Sequence, residues 1–521
     1  MSQKDDIVSM EAVRERKAAR QQRSGETSRG NDATQLIDKE GEKVSIVIHK
    51  MNAGSKGLIS GSLEKKFKSL DEALMVNEAE NSTKPKIQKI PFMLRDNDNF
   101  KKYLEPRVVS IGPYHAKNSN LQVTHEIKLK LAALFIKDGG ISRNVLYEKI
   151  MEKISNFREC YAEEATKCYE NNIEELAWMF LVDGCALLHY IICASQMKEG
   201  RDYTLERLKI KKDHMAFFQQ DVFLLDNQLP YELLDLLIGL SNKQEELKLS
   251  IKNFILDSIN APPGLYIENE KNFRQLQPNN PLHLLDLLRT VLIQQINPHI
   301  GVRERLRQIL IGILGEKVFN KLTFKKKHVW HSSFRNIEEL IAVGISLKPS
   351  KTSSIRSITF SWGTLTIPPI IVDDSTAAKL LNMAAYEMCP DFQNGFEVSS
   401  YIFFMDSLID RAQDVKELRE SGILHNALGS DEEVALLFNK ISIDLVPNPI
   451  YSGVRQRIQN HYDNKWMTWI AQFMARHFHS PWSVLAFMAA IIALASSIVQ
   501  TVYTVEGYYK PDKPPIIYLA P

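Results

Sequence analysis

The sequence is poor in the residues that mark fibrous, disulfide-stapled and strongly charged proteins. Its 521 residues include five cysteines, 23 glycines and 21 prolines, and its formal net charge is +2. The low glycine and proline content excludes a collagen-like chain, and the odd number of widely spaced cysteines excludes a secreted disulfide framework. The near-neutral charge provides no general attraction to nucleic acid, so no nucleic-acid partner is expected.

A secretory signal is also missing. Within the first forty residues the few aliphatic side chains, such as Ile7, Met10 and Val13, are separated by polar ones, so no continuous apolar stretch forms. Met10 to Arg23 is basic and helix-prone. We predict that residues 1–84 form a flexible basic and polar leader, distinct from the domain that follows.

Complete catalytic and ligand-binding motifs are absent. Gly54-Ser55-Lys56-Gly57 has its lysine before the second glycine, which breaks a phosphate-binding loop, and its serine is misplaced for a nucleophile elbow. Cys160 and Cys168 are eight residues apart, as are Cys185 and Cys193. That spacing is about 12 Å along a helix, which is too far for one zinc ion. The sequence therefore predicts no enzymatic activity, no cofactor and no metal site.

One segment differs from the rest of the chain because it is continuously apolar. Residues 480–505 contain no ionisable side chain, and Trp482 and Tyr503 lie near its two ends. A helix between these two aromatic residues would measure about 33 Å, enough to cross a bilayer, with both rings at the headgroup levels. We predict a juxtamembrane and transmembrane helix within residues 476–505 and a polar tail at 506–521. The alternative is a buried core helix.

The position of this span near the C-terminus predicts a single-pass, tail-anchored protein of the plasma membrane or an endomembrane. The bulk that precedes the span is then expected in the cytosol, although the basic residues on its two sides are balanced. The sequon Asn81-Ser82-Thr83 would report the opposite orientation by glycosylation. Ala489, Ala493 and Ser497 form a small-residue stripe that favours contact with a second copy, or else faces lipid.

The remainder of the chain, residues 85–475, has the apolar spacing of helices. The predicted helices are Ile173 to Ala194, Asp221 to Leu240, Leu247 to Ile259, Leu282 to Ile296, Glu304 to Leu314, Thr376 to Glu387 and Ser399 to Ile409. A small β-hairpin is predicted where residues 354–360 and 364–367 flank Ser361-Trp362-Gly363. The fold class is therefore mainly α: a large helical domain with a small β-hairpin element and one C-terminal transmembrane helix.

Several polar residues interrupt the apolar pattern. Asp226-Asn227-Gln228 stands between two apolar stretches, just before the helix-breaking Pro230. We interpret these side chains as fixing the backbone at a kink, with a functional site as the alternative. Cys185 and His189 lie one helical turn apart but in apolar sequence, which favours core packing over a thiolate–imidazolium pair.

These and other residues occur in the order of one plant family. The motif residues are Pro113, His115, Asp183, Gly184, Cys185, Asp226, Asn227, Gln228, Pro230, His283, Tyr386 and Glu387. Through them the sequence resembles the plant-specific DUF247 family, also called UPF0481, over roughly residues 85–511. It departs from the family pattern at Asp226, where glutamate is usual, and at Ala186, where phenylalanine is usual.

The resemblance implies a mostly helical domain with a C-terminal membrane anchor, in a family that resembles no known enzyme. Family members in grasses are similar to the pollen-side determinants of two-locus self-incompatibility, which act with small secreted stigma proteins. It therefore implies a membrane-anchored recognition or signalling protein that acts by protein–protein binding. The most specific function that the resemblance implies is that of the male determinant of self-incompatibility. The motif residues are then expected to stabilise the fold and not to form an active site.

Two alternatives to this function remain open. The first is an uncharacterised hydrolase or transferase that uses His115, Asp183, Asp226 and His283, if the fold gathers them into one pocket. The second is a scaffold in defence or growth signalling, which the sequence does not separate from a recognition protein.

Overall fold

The chain is described by a computed structural model. The structure describes residues 66–70, 85–198, 212–265, 273, 281–294, 336–392, 395–446, 448–463 and 481–509. The predicted helix from Glu304 to Leu314 and most of the predicted leader and tail lie outside these residues. The described part is mainly helical with two small sheets, so the predicted fold class is confirmed.

Helices make up most of the first half of the body. They are α1 (Phe92–Arg95), α2 (Lys101–Leu104), α3 (His125–Asp138), α4 (Arg143–Glu152), α5 (Ile154–Glu159), α6 (Glu163–Thr166), α7 (Ile173–Lys198), α8 (Lys212–Asp221), α9 (Tyr231–Leu240), α10 (Gln244–Ser258) and α11 (Leu284–Ile293). Single 3₁₀ turns connect several of them.

The second half alternates helices with short strands. Its helices are α12 (Ile337–Ala342), α13 (Thr376–Glu387), α14 (Glu397–Leu408), α15 (Ala412–Glu420), α16 (Asp431–Ile441), α17 (Ser452–Tyr462) and α18 (Pro481–Tyr509). Its strands are β1 (Ser346–Pro349), β2 (Thr359–Ser361), β3 (Thr364–Ile367), β4 (Ile370–Val372) and β5 (Leu424–Asn426). The predicted helices that correspond to α7, α10, α11, α13 and α14 agree with these bounds within a few residues.

Helix α7 is the centre of the first half. It is buried without interruption from Phe180 to Cys193, and α3, α4, α9 and α10 pack around it. A helix that is apolar on every face needs protein on every side, and α7 has it. Residues 173–196 are long and apolar enough to cross a membrane, but 89% of their most apolar window is buried within the body. Helix α7 is therefore a core helix.

The predicted hairpin is confirmed and belongs to a larger sheet. Strands β2 and β3 pair antiparallel, with Phe360 opposite Leu365. Trp362 and Gly363 form the two-residue turn with φ of 53° and 71°, the positive values that a type I′ turn needs. Strand β1 pairs in parallel with β3, giving the order β1-β3-β2. Strands β4 and β5 form a separate parallel pair.

One predicted helix is wrong in its first half. Asp221 is the last residue of α8, and α9 begins only at Tyr231. The intervening residues 222–230 form a loop that is buried along its whole length. The side-chain amides of Asn227 and Gln228 bind main-chain groups of this loop, and such bonds compete with helical hydrogen bonds.

A buried cluster of charges joins helix α11 of the first half to two helices of the second half. The guanidinium of Arg289 on α11 donates to Glu387 on α13 at 2.9 Å and to Glu397 on α14 at 2.6 Å. Arg356 is a further partner of Glu397. Burial raises the pKa of Glu387, while the cation of Arg289 and two main-chain N–H donors oppose the shift. Removal of the arginine would leave two buried carboxylates without their shared cation.

We expect Arg289→Met to lower the free energy of unfolding by about 3–5 kcal/mol, because it breaks a buried pair from one side only. The control is Arg419→Met, which breaks the 3.0 Å contact with Asp431, where the arginine is 47% exposed. A surface pair of that kind contributes less than about 1 kcal/mol. Chemical denaturation of both full-length variants measures the difference, and equal losses would contradict the assignment of the cluster.

Candidate functional site

Residues 105–115, here called the strap, cross the body without helix or strand structure. Positions 109–113 of the strap are buried. Buried main-chain N–H and C=O groups need hydrogen-bond partners, and irregular backbone does not supply them to itself. Several motif residues, Asp183 and Asn227 among them, are partners of the strap backbone.

Asp221, the last residue of α8, receives the first part of the strap. Its carboxylate accepts the N–H groups of Arg107 at 3.0 Å, Val108 at 2.7 Å and Val109 at 2.9 Å. Burial raises the pKa of Asp221, and the three main-chain donors oppose that shift because they stabilise the charged form. One carboxylate thus replaces the strand partner that this backbone lacks.

Asn227 holds the middle of the strap from the buried loop. Its Oδ1 accepts the N–H of Ile111 at 2.7 Å, while its Nδ2 donates to the carbonyls of Val109 at 3.1 Å and Asp221 at 2.9 Å. Only a carboxamide supplies an acceptor and two donors at one position. This requirement explains why asparagine, and not aspartate, follows Asp226.

Asp183 on the central helix receives the next residue of the strap. It accepts the N–H of Gly112 at 2.9 Å and the ammonium of Lys128 at 2.6 Å. Lys128 on α3 also donates to the carbonyl of Ser110 at 2.8 Å. The two charges are nearly fully buried and neutralise each other, so the pair fixes the strap against both helices.

Gly112 lets the strap touch the buried loop. Its φ is +77°, and a Cβ atom there would lie 2.7 Å from the carbonyl oxygen of Gln228. The hydroxyl of Tyr161 donates to the same carbonyl at 2.8 Å. Neither the backbone angle nor the space admits a side chain at this position.

Gln228 closes the loop and connects it to α11. Its Nε2 donates to the carbonyls of Val222 at 2.6 Å and Leu224 at 2.7 Å, and its Oε1 accepts the N–H of Leu285 at 3.2 Å. Pro230, two residues later, precedes the first turn of α9. This geometry agrees with the prediction that these amides fix the backbone. The backbone that they fix is a loop between two helices, and not a kink within one helix.

His283 begins α11. Its Nδ1 accepts the N–H of Asp286 at 3.1 Å, and the carboxylate of Asp286 accepts the N–H of Leu282 in return. The imidazole is fully buried and packs edge-to-face on Tyr386 at 4.9 Å between ring centroids. Burial lowers the pKa of His283 to about 4, and the nearby Asp286 opposes the shift. The imidazole is therefore a neutral helix cap at physiological pH.

The other predicted site residues are also inside the body. Pro113 is buried in the strap. Gly184 lets α9 approach α7, because a Cβ atom there would lie 2.5 Å from Leu237. Burial raises the pKa of the Cys185 thiol, as expected of a core cysteine. Tyr386 is buried next to Glu387, which belongs to the charge cluster of α11, α13 and α14.

Of the four residues named for a hydrolase or transferase, the structure brings only two into contact. The Nε2 of His115 and the Oδ1 of Asp226 lie 2.9 Å apart, and 20% and 10% of these side chains are exposed. Asp183 is engaged with the strap, and His283 is engaged at the start of α11. In the part of the chain that the structure describes, no three His, Cys, Asp or Glu side chains are placed to hold a metal ion.

Sequence reasoning missed two important charges, Lys128 and Arg289. Lys128 occupies the buried face of α3 with Leu131, Ala132 and Phe135 at helical spacing, and this periodicity was the available signal.

Asn382 on α13 connects the buried loop to α2. It accepts the N–H of Leu225 at 2.9 Å and donates to the carbonyl of Tyr103 at 2.9 Å.

The body also carries an open groove between α3, α4 and α7, with a volume of about 830 Å³. We call it the α3–α7 groove. Its apolar lining consists of Leu129, Ala132, Ala133, Ile136, Tyr147, Trp178, Leu181 and Val182. Trp178 is 52% exposed, although it is one of the largest apolar side chains. The charged side chains of the lining are Arg143, Glu148, Glu174 and Glu175.

The C-terminal helix α18 contrasts with α7. Leu485–Glu506 has a mean hydropathy of 2.1 and none of its most apolar window is buried. Trp482 lies in the first turn of α18, and Tyr503 near its other end is exposed. Among the described residues these are the two helices long and apolar enough to cross a membrane, and only α18 presents its apolar side chains outward.

The fold and the site define a helical protein that uses its polar motif residues to hold an irregular segment and that carries an exposed apolar helix near its C-terminal end. The chain belongs to the DUF247 family, described as plant protein of unknown function, whose model matches residues 87–496. The predicted resemblance is therefore confirmed.

Two relatives come from Arabidopsis thaliana and are named UPF0481 proteins. One is 27% identical over 441 residues, which cover 79% of this chain and 85% of the relative. The other is 22% identical over 462 residues, which cover 75% of this chain and 84% of the relative. No solved structure gives a match.

We expect Gly112→Ala to destabilise the body by at least about 2 kcal/mol more than Gly422→Ala. Both glycines have positive φ, 77° and 70°, so both variants carry the backbone cost of about 1 kcal/mol. A Cβ atom at Gly422 meets open space, whereas one at Gly112 meets the loop. Denaturant midpoints of the two variants give the comparison, and similar losses would mean that the strap tolerates a side chain.

We expect His283→Asn to weaken the dependence of stability on pH. Below about pH 6.5 the unfolded chain protonates this histidine, while the folded chain keeps it neutral down to about pH 4. The wild-type protein should therefore lose about 2 kcal/mol between pH 7 and pH 5 through this group. Asparagine retains the cap without titrating.

The control for this measurement is His425→Asn, which replaces an exposed histidine. It is expected to keep the wild-type loss between pH 7 and pH 5. Unfolding of the full-length protein at both pH values gives the two differences. A His283→Asn variant with an unchanged pH dependence would show that folding does not shift the pKa of His283.

Proposed function

We propose that this protein is a membrane-anchored recognition or signalling protein that acts by binding other proteins. The observation that carries the proposal is the outward-facing α18, 22 residues of which have the length and hydropathy of a membrane span. An exposed helix of this kind in water would be a strong aggregation site, whereas in a bilayer the lipid satisfies all of its faces.

The use of the polar motif residues supports binding over catalysis. Asp183, Asn227 and His283 each bond main-chain groups, so these side chains stabilise the fold. An acid–base catalyst needs its titratable group free to exchange a proton with a substrate. The α3–α7 groove, in contrast, exposes apolar surface of the kind that partner proteins cover.

We place the body in the cytosol, with α18 as its membrane anchor. The sequon at Asn81 provides the test, because only a body in the secretory lumen would receive a glycan there. The measurement is the electrophoretic mobility of the protein isolated from plant cells, before and after treatment with an endoglycosidase. An increase in mobility after treatment would overturn the cytosolic orientation and support the opposite one.

Within this class, the proposed specific role is the pollen-side determinant of self-incompatibility, with a small secreted stigma protein as partner. Its support is the family resemblance. A recognition surface that distinguishes self from non-self should vary at exposed positions, such as those of the α3–α7 groove, and remain constant at the strap and its partners. Allelic sequences with variation spread evenly over both would count against this role.

We expect Leu494→Arg with Ile498→Arg to release the protein from membranes. Each arginine near the middle of the span costs about 2.5–3.5 kcal/mol of insertion free energy. The control is Tyr508→Arg with Tyr509→Arg, which adds the same charge at the end of α18, where the side chains reach the headgroups. Alkaline extraction of plant membranes should leave the wild type and the control in the pellet. Extraction of the wild type would refute the anchor.

A further inference from the structure

The α3–α7 groove has the lining of a site for one amphipathic helix. Leu129, Ala133 and Ile136 follow each other along α3 at four- and three-residue spacing, and Trp178 faces the same groove from α7. An apolar stripe between two helices accepts the apolar face of a third helix by side-chain interdigitation. The half-exposed Trp178 is the kind of side chain that becomes an anchor once it is covered.

The charges of the groove restrict the occupant. Glu148, Glu174 and Glu175 line it together with one cation, Arg143. A basic helix is favoured over an acidic one, since carboxylates at the rim of an apolar site attract cations and repel anions. The occupant is therefore expected to combine a short apolar stripe with several adjacent basic residues.

The chain itself contains a segment with this composition. Ile7, Met10 and Val13 follow each other at three-residue spacing, as on one helical face. Residues 10–23 contain five basic and two acidic residues, and the bases begin directly after Val13 with Arg14. The segment thus combines apolar side chains with adjacent bases, the composition that the lining of the groove favours.

We propose that residues 7–20 of this chain bind the α3–α7 groove as a helix, with Ile7, Met10 and Val13 on its apolar floor and Arg16 and Lys17 beside its glutamates. The groove is then covered in the resting protein, and a partner has to displace the leader. This regulation rests on the proposed function, because it assumes that a partner protein binds the groove. The binding of the leader to the groove does not depend on that function.

The length of the chain permits this contact. Residues 21–84 separate the proposed helix from the first described residues of the body, and even as a continuous helix they would measure about 95 Å. A body of this size has a radius of gyration of about 20 Å. Attachment in the same chain also gives the leader a millimolar effective concentration at the groove, so modest affinity is sufficient.

The experiment uses the full-length protein in lipid vesicles with a photo-reactive benzoylphenylalanine in place of Val13. After irradiation, mass spectrometry identifies the crosslinked peptides, and electrophoresis separates crosslinks within one chain from those between chains. We expect crosslinks within one chain to peptides that contain Leu129, Ile136 or Trp178. Crosslinks to other parts of the body, or mainly between two chains, would overturn the proposal.

A charge exchange tests the orientation of the leader. Glu174→Lys with Glu175→Lys should reduce the crosslink yield about tenfold, and adding Arg16→Glu with Lys17→Glu should restore it. The matched control, Glu420→Lys with Glu432→Lys, reverses two exposed glutamates on α15 and α16 and should leave the yield unchanged. Arg16→Glu with Lys17→Glu alone should also reduce the crosslink yield. Because these two substitutions lie in the leader, the reduction cannot result from misfolding of the body.

An unchanged yield in the groove variant, or a failure of the exchange to restore it, would overturn the proposal. These results are distinguishable from a failure of the membrane proposal. A protein that is not anchored would separate from the vesicles on alkaline extraction, yet its leader would still crosslink to the groove. A protein that is anchored but leaves its groove uncovered would remain in the pellet and lose the crosslink.

Discussion

Buried irregular backbone must be given hydrogen-bond partners by side chains, and this requirement governs the centre of the molecule. The strap passes between α3, α7 and α8 with no strand beside it, so Asp183, Asp221 and Asn227 take the place of a neighbouring chain. Asp183 comes from α7, whereas Asp221 and Asn227 come from the end of α8 and the loop that follows it. The strap can therefore reach its native position only when the first half of the body has assembled, which makes it a test of correct packing.

Part of this architecture could be predicted from the sequence, because it is determined by residues that are close together in the chain. The hairpin at Trp362-Gly363 and the helices α7 and α13 follow from turn residues and from apolar spacing over one to three turns. The loop at 222–230 was mistaken for helix because its residues are as apolar as those of a helix, and its true partners lie more than 100 positions away in the strap. The parallel pairing of β1 with β3 was also missed, because its partners are 18 residues apart and no tight turn joins the two strands.

The sequence predicted which residues belong to the candidate site, but not which groups they bind. The motif order identified Asp183, Asn227 and His283, but no spacing indicated that Lys128 neutralises the first of them. Buried ion pairs such as this one contribute little net free energy compared with apolar residues, yet they are costly to break from one side. Arg289 of α11 shows the same arrangement, because its one cation binds carboxylates from two helices of the second half.

Helices α7 and α18 are almost equally apolar, yet one belongs inside the body and the other faces outward. During synthesis α7 leaves the ribosome roughly 300 residues before α18, so any cellular factor that selects long apolar segments meets it first. Asp183 stands close to its midpoint, where an ionised carboxylate opposes entry into hydrocarbon by about 3 kcal/mol. The carboxylate that holds the strap therefore also opposes the insertion of α7 into a membrane.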